Sequence, residues 1–172
     1  MKNKQAPTQI ERLMREDDFI ISKTDLKGRI SYCNRIFIEF SGYTEQELLG
    51  AQHNIIRHPD MPRGVFKFMW DVLGAQNECF AYVKNMAQDG SHYWVLANVT
   101  PSLDAQGQPE GYFSVRRKPG RGAVSAMADV YRLMLDEERR AGPKDACDAS
   151  LALMTGFLNQ KEVSYEKFIL SL

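Results

Sequence analysis

Charge of both signs stands beside a large apolar surface in one short stretch of this chain. Arg57-His58-Pro59-Asp60-Met61-Pro62 gathers a guanidinium, an imidazole and a carboxylate and stiffens them with two prolines. Directly after it, Phe66, Met69, Trp70 and Leu73 recur at helical spacing and make one aromatic, apolar face. A guanidinium pairs phosphate oxygens bidentately, and an aromatic face packs against a flat ring. Such a corner suits a small molecule with an anionic tail and a planar head. The plain alternative is a solvated loop leading into an ordinary core helix, the commoner meaning of apolar residues at this spacing.

The elements that must hold this corner can be read on either side of it. Thr8-Gln9-Ile10-Glu11 has the form of a capping box and predicts a short leading helix through about Arg15. Phe19 to Ser22 and Arg29 to Cys33 read as strands joined by the turn residues Asp25-Leu26-Lys27-Gly28. Asn34 caps a short helix through Phe40, stopped by Ser41-Gly42, and Thr44-Glu45-Gln46-Glu47 opens another that Gly50 ends. The stretch His53 to Pro62 is irregular, with a helical turn. A longer helix follows from about Pro62 to Leu73, with Asp60 as its expected N-cap and Gly74 as its terminator. Three strands then come in succession, Phe80 to Met86, Tyr93 to Thr100 and Gly111 to Arg117, the first two joined at Asp89-Gly90. The sum is α+β: an antiparallel sheet split around a helical insert, with helices over one face and a pocket between the layers.

After Pro119-Gly120-Arg121-Gly122 the character changes. Val124, Met127, Ala128, Tyr131, Met134 and Leu135 mark an amphipathic helix, broken at Ala141-Gly142-Pro143. A second helix carries Leu151, Met154, Phe157 and Leu158 on one side, and the final Tyr165 to Leu172 is apolar enough to dock.

With 172 residues, 22 basic against 22 acidic, the chain has no net field that favours nucleic acid or an anionic membrane. Cys33, Cys79 and Cys147 are odd in number and widely spaced, which argues against a zinc site or a disulfide framework. No apolar run approaches the roughly 20 residues of a membrane span, and Met1 to Pro7 lacks a signal-peptide core. A soluble, cytoplasmic protein is the expectation.

The motifs also resemble a known family. Ser41-Gly42-Tyr43-Thr44-x-x-Glu47-Leu48-x-Gly50 is common to many PAS domains. His53-Asn54-x-x-Arg57-His58-Pro59-Asp60-Met61-Pro62, Val83-Lys84-Asn85 and Gly90-x-His92-Tyr93-Trp94-Val95-x-Ala97-Asn98 are similar to the flavin-binding PAS domain of bacterial aerotaxis receptors. The resemblance covers roughly Asp18 to Lys118. It implies a five-stranded PAS fold that holds FAD non-covalently and reports redox state or respiration to a chemotaxis module. The expected organisation is an N-terminal helical cap over 1–17, a PAS sensory domain over 18–118 and a C-terminal helical extension over 119–172. Expected partners are a second copy of the chain and a chemoreceptor or histidine-kinase-type signalling protein. No enzymatic chemistry is expected. Cys79 stands where such receptors carry Trp, and a stand-alone form without their membrane anchor and signalling coil is the expectation.

Under this resemblance Arg57 binds the FAD pyrophosphate; otherwise it is a surface arginine paired with Asp60. His58 donates to flavin or phosphate or orients Arg57, or else bonds nearby backbone. Asp60 joins the ligand contacts, caps the next helix, or does both. Asn85, Asn34 and Asn98 are candidates for the polar edge of the ring, since a carboxamide donates and accepts. Asn85 is the foremost, at the end of a strand alternating Ala81, Val83, Asn85, whereas Asn34 is equally an N-cap and Asn98 an ordinary strand polar residue. Phe66 and Trp70 are core and pocket wall at once. Two rivals remain: a PAS interaction module without a cofactor, and heme. His53 and His58 are wrongly spaced for one helical face, which argues against heme, and the Asn-Cys-Arg-Phe-Leu motif of photoactive flavin adducts is absent.

Overall fold

The structure, a computed structural model, describes residues 5–172. Strands β1 (Ile20–Asp25) and β2 (Ile30–Cys33) form a hairpin, and Asp25 Oδ1 accepts from the N–H of Lys27 and Arg29 to close its turn. Gly28, at φ +74°, supplies the left-handed turn residue. Three short helical segments follow: α1 (Arg35–Ser41), α2 (Glu45–Leu48) and a 3-10 turn (His53–Ile56). Asn34 caps α1, and the Thr44/Glu47 capping box opens α2 as its sequence requires. Helix α3 (Arg63–Gly74) leads into β3 (Cys79–Met86), β4 (His92–Leu103) and β5 (Pro109–Arg117).

The sheet is antiparallel, in the order β2-β1-β5-β4-β3. Its inner face is covered by the segment between β2 and β3, and Phe37, Leu48, Ile55, Ile56, Met61 and Val65 bury their side chains there. This is the five-stranded α+β architecture the sequence implies.

The leading segment departs from expectation. Residues 8–15 form no helix, and residues 1–4, part of the expected N-terminal cap, lie outside the described residues. The segment runs beside the start of β4: Arg12 N–H donates to His92 O at 2.8 Å, and His92 N–H donates to Ile10 O at 2.9 Å. Thr8 Oγ1, the supposed cap, donates to Gly90 O instead. An isolated helix this short is marginal in water, so backbone bonds to a formed strand win. Arg12 secures the arrangement through Ser91, Asp89 and the carbonyls of Glu39 and Phe40.

Helix α4 (Arg121–Gln160) is broken at Gly142, where φ +78° and ψ 170° precede Pro143, giving two arms. Ala123, Met127, Tyr131 and Met134 are buried on the first arm, and Ser150, Met154 and Leu158 on the second. Helix α5 (Tyr165–Leu170) packs on β3. These helices blunt an exposed sheet edge, since Tyr131 Oη donates to the Tyr82 carbonyl of β3 at 2.7 Å. No helix among the described residues is long and apolar enough to cross a membrane.

Candidate functional site

A cavity of about 250 Å³ lies between α3 and the inner sheet face. Its aromatic side is built by α3, from which Phe66, Met69, Trp70 and Leu73 project at the spacing the sequence shows. Tyr112 on β5 meets Trp70 edge-on, ring centroids 5.3 Å apart, and Trp70 remains 44% exposed. Small residues on the strands opposite, Val83, Ala97 and Val99, leave the space open.

The polar side is contributed by the strands. Asn85 is 4% exposed, Ser114 7% and Arg116 4%, and all three line the cavity. Asn85 Nδ2, Ser114 Oγ and Arg116 Nη1 have no hydrogen-bond partner among the described residues. Buried polar atoms are nearly always paired, so three unpaired ones around a single cavity indicate a ligand surface. Arg116 Nη2 donates to Ser22 Oγ at 2.6 Å and to His53 Nε2 at 2.7 Å. Burial, then the Arg116 charge, pushes the His53 imidazole down to about 3, so it stays neutral and accepts. Burial likewise lowers the Arg116 guanidinium to about 10.

Arg57 stands among the lining residues beside the backbone of Asn85, with which it forms an isolated antiparallel bridge. Its Nη2 donates to Met61 O at 2.9 Å, and its guanidinium lies 4.4 Å from the centre of the Phe66 ring. Asp60 does not pair with it. The Asp60 carboxylate meets Lys84 Nζ at 2.7 Å, outside the cavity lining.

The expected cap of α3 is also corrected. Pro62 occupies the N-cap position, and Glu138 of α4 takes up the free N–H groups, with Oε1 at 2.6 Å from Arg63 N and 3.2 Å from Gly64 N. Ser150 Oγ donates to the same oxygen at 2.7 Å. The carboxylate that anchors the cavity-wall helix therefore comes from the C-terminal arms.

Three further expectations fall outside the cavity. His58, 2% exposed, accepts from Asp60 N–H through Nδ1 and packs edge-on to His92, so it shapes the corner without lining the pocket. Asn34 is consumed by its cap, with Oδ1 accepting from Phe37 and Ile21 N–H and Nδ2 donating to Phe19 O. Asn98 belongs to the outer sheet face, where it donates to Glu78 at 2.9 Å. Its strand alternates, and Ala97 and Val99 take the inward positions. Cys79 is buried and does not itself line the cavity, although Val99, its cross-strand partner on β4, does.

A family model described as "PAS fold" matches residues 30–116. The chain belongs to the PAS-fold family. This PAS chain is 38% identical over 127 residues to the aerotaxis receptor of Escherichia coli (strain K12), a match covering 74% of the chain and 25% of the receptor. It is 29% identical over 113 residues to a nitrogen fixation regulatory protein of Klebsiella pneumoniae, covering 66% of the chain and 23% of that protein. The chain thus spans about a quarter or less of the length of these relatives. Among solved structures, the light state of the blue-light photoreceptor Aureochrome1 LOV superposes with a TM-score of 0.53 at 25% identity, over 72% of this chain and 92% of that one. A light-oxygen-voltage domain whose mechanism was probed with a flavin analogue superposes with a TM-score of 0.54 at 21% identity, over 72% of this chain and 87% of that one.

Proposed function

We propose that this chain is a non-catalytic PAS sensor that holds FAD non-covalently in the α3–sheet cavity and answers to redox state or oxygen. The carrying observation is the cavity's two-sided chemistry, an aromatic wall facing three unpartnered donors. A flavin fits both sides: its ring is flat, and its pyrimidine edge carries carbonyl oxygens and ring nitrogens that accept hydrogen bonds. Similarity to the E. coli aerotaxis receptor, the kind of protein whose flavin-binding PAS domain the sequence motifs resemble, supports the same ligand class.

In this reading Phe66 and Trp70 pack the ring, Asn85, Ser114 and Arg116 bond its polar edge, and Arg57 takes the pyrophosphate. A bound flavin supplies reversible uptake of electrons and a proton. The Asn85 carboxamide presents either its oxygen or its nitrogen by rotating, so it can follow a change in what the edge donates or accepts. His58 and Asp60 act indirectly, by fixing the corner from which Arg57 reaches. Residues 18–118 form the sensory domain and residues 119–172 the output element. Glu138 ties α3 to the C-terminal arms, so a shift in the cavity wall reaches the surface that a second copy, a chemoreceptor or a histidine-kinase-type partner would meet. The unpaired Cys33, Cys79 and Cys147 suit the reducing cytoplasm.

The test is the absorption spectrum of purified protein, as isolated and after incubation with FAD. A yellow protein whose visible bands bleach with dithionite and return in air is expected. A colourless protein that takes up no FAD contradicts the reading and leaves a docking module without a cofactor.

A further inference from the structure

Arg116 is a buried cation without an anion. It is 4% exposed and lines the cavity, and no carboxylate forms an ion pair with it among the described residues. Its neighbours hold it without neutralising it. Ser22 Oγ and His53 Nε2 accept from Nη2, the Phe37 ring lies 5.2 Å away, and Nη1 has no partner among the described residues. His53 stacks on Phe37, which fixes the imidazole that orients the guanidinium. The other titratable group influencing Arg116 is Tyr93, whose buried hydroxyl also lacks a partner among the described residues. Burial raises the Tyr93 hydroxyl far above its ordinary range, so it supplies no negative charge. A desolvated charge held by neutral groups alone is costly unless something that enters the site compensates it.

We propose that Arg116 is the counter-charge for a ligand that becomes anionic inside the cavity, namely the reduced flavin ring. The inference rests on the flavin reading above and assigns Arg116 a function within it. Taking two electrons from an external reductant and one proton from solvent converts a neutral oxidised ring into one bearing a single negative charge. Arg116 therefore favours the reduced form over the oxidised form and raises the potential at which the sensor responds. Arg57, part-exposed and packed on Phe66, serves the phosphate end and not the ring. Ser22 and His53 are positioning residues for Arg116.

The experiment is a spectroelectrochemical titration of the flavin-loaded full chain as wild type, Arg116→Met and Arg116→Lys. Arg116→Met is expected to lower the affinity for reduced relative to oxidised flavin at least tenfold, a fall of about 30 mV in the two-electron potential. Arg116→Lys keeps the charge and recovers most of that difference. A Met variant that retains flavin at the wild-type potential overturns the proposal. The wild type provides an independent reading free of any folding defect: its potential should vary with pH as one proton per two electrons, even in mildly acidic buffer. Uptake of two protons would mean a neutral reduced ring and would also overturn it. Wild-type protein that binds no flavin at all refutes the cofactor reading itself, an outcome distinct from both.

Discussion

Replacing Glu138 by alanine removes the one oxygen that accepts from Arg63 N–H at 2.6 Å, Gly64 N–H at 3.2 Å and Ser150 Oγ at 2.7 Å. Hydrogen bonds to a charged group contribute about 1.5–3 kcal/mol each, and losing a helix cap costs about 0.5–2 kcal/mol. The 3.2 Å bond is weak, and water entering the gap recovers part of the rest, so the loss should be about 2–4 kcal/mol. Space for that water is limited, because α3 approaches the second arm so closely that a Cβ at Gly64 would overlap Ser150 Oγ. For a domain of ordinary stability, about 5–15 kcal/mol, the loss is readily measured. Urea unfolding followed by circular dichroism gives the free energy, and Trp70 fluorescence in a Trp94→Phe background reports on α3 itself. Glu138→Gln retains an acceptor oxygen and should cost less. A loss below about 0.5 kcal/mol, typical of an inert surface site, would refute the view that the C-terminal arms hold the cavity wall through this carboxylate.

Arg57→Ala should weaken FAD retention by roughly tenfold or more, the equivalent of one charge-assisted bond of about 1.5–3 kcal/mol; unchanged retention in equilibrium dialysis would return Arg57 to a packing role on Phe66. Asn34→Ala should lower stability by about 0.5–2 kcal/mol through its lost cap without altering flavin affinity beyond that, and Asn98→Ala should leave flavin affinity as it is. A marked affinity loss for Asn98→Ala in calorimetric titration would contradict its placement on the outer face. Burial, then the Lys84 charge, lowers the His58 imidazole from 6.5 to about 4. The unfolded chain therefore binds a proton that the fold does not. Stability is full above pH 6.5 and falls by about 1.4 kcal/mol per pH unit as pH drops toward 4, with His53 adding to the same limb. Urea titrations across that range should show a flatter limb for His58→Gln, and an unaltered limb would mean the imidazole is not held neutral.

The parts of the fold encoded by local chemistry were legible. Asn34, the Thr44/Glu47 box and the Gly142-Pro143 break each act within a few residues, and each stands where its sequence says. The failures were contests that distant groups won. Thr8 lost its helix to the β4 backbone, and Asp60 lost the α3 cap to Glu138, whose reach across the fold no local pattern records. Within the site, the aromatic face of α3 and Asn85 were readable from periodicity. Arg116 and Ser114 were not, because β5 turns its polar residues, Tyr112, Ser114 and Arg116, toward the helices and Phe113 and Val115 away. A strand read by the usual rule, apolar side inward, gives that face the wrong way round. The inverted polarity of β5 was itself the available signal, since an inner face can be polar where it borders a cavity.

A titration of purified protein with FAD, wild type beside Ala97→Trp, tests most directly whether the cavity is the flavin site. Ala97 is buried on the cavity face of β4, so an indole there occupies the space while leaving the polar groups in place. Quenching of flavin fluorescence should saturate with the wild type and vanish with the folded variant. Equal binding by both would contradict the account.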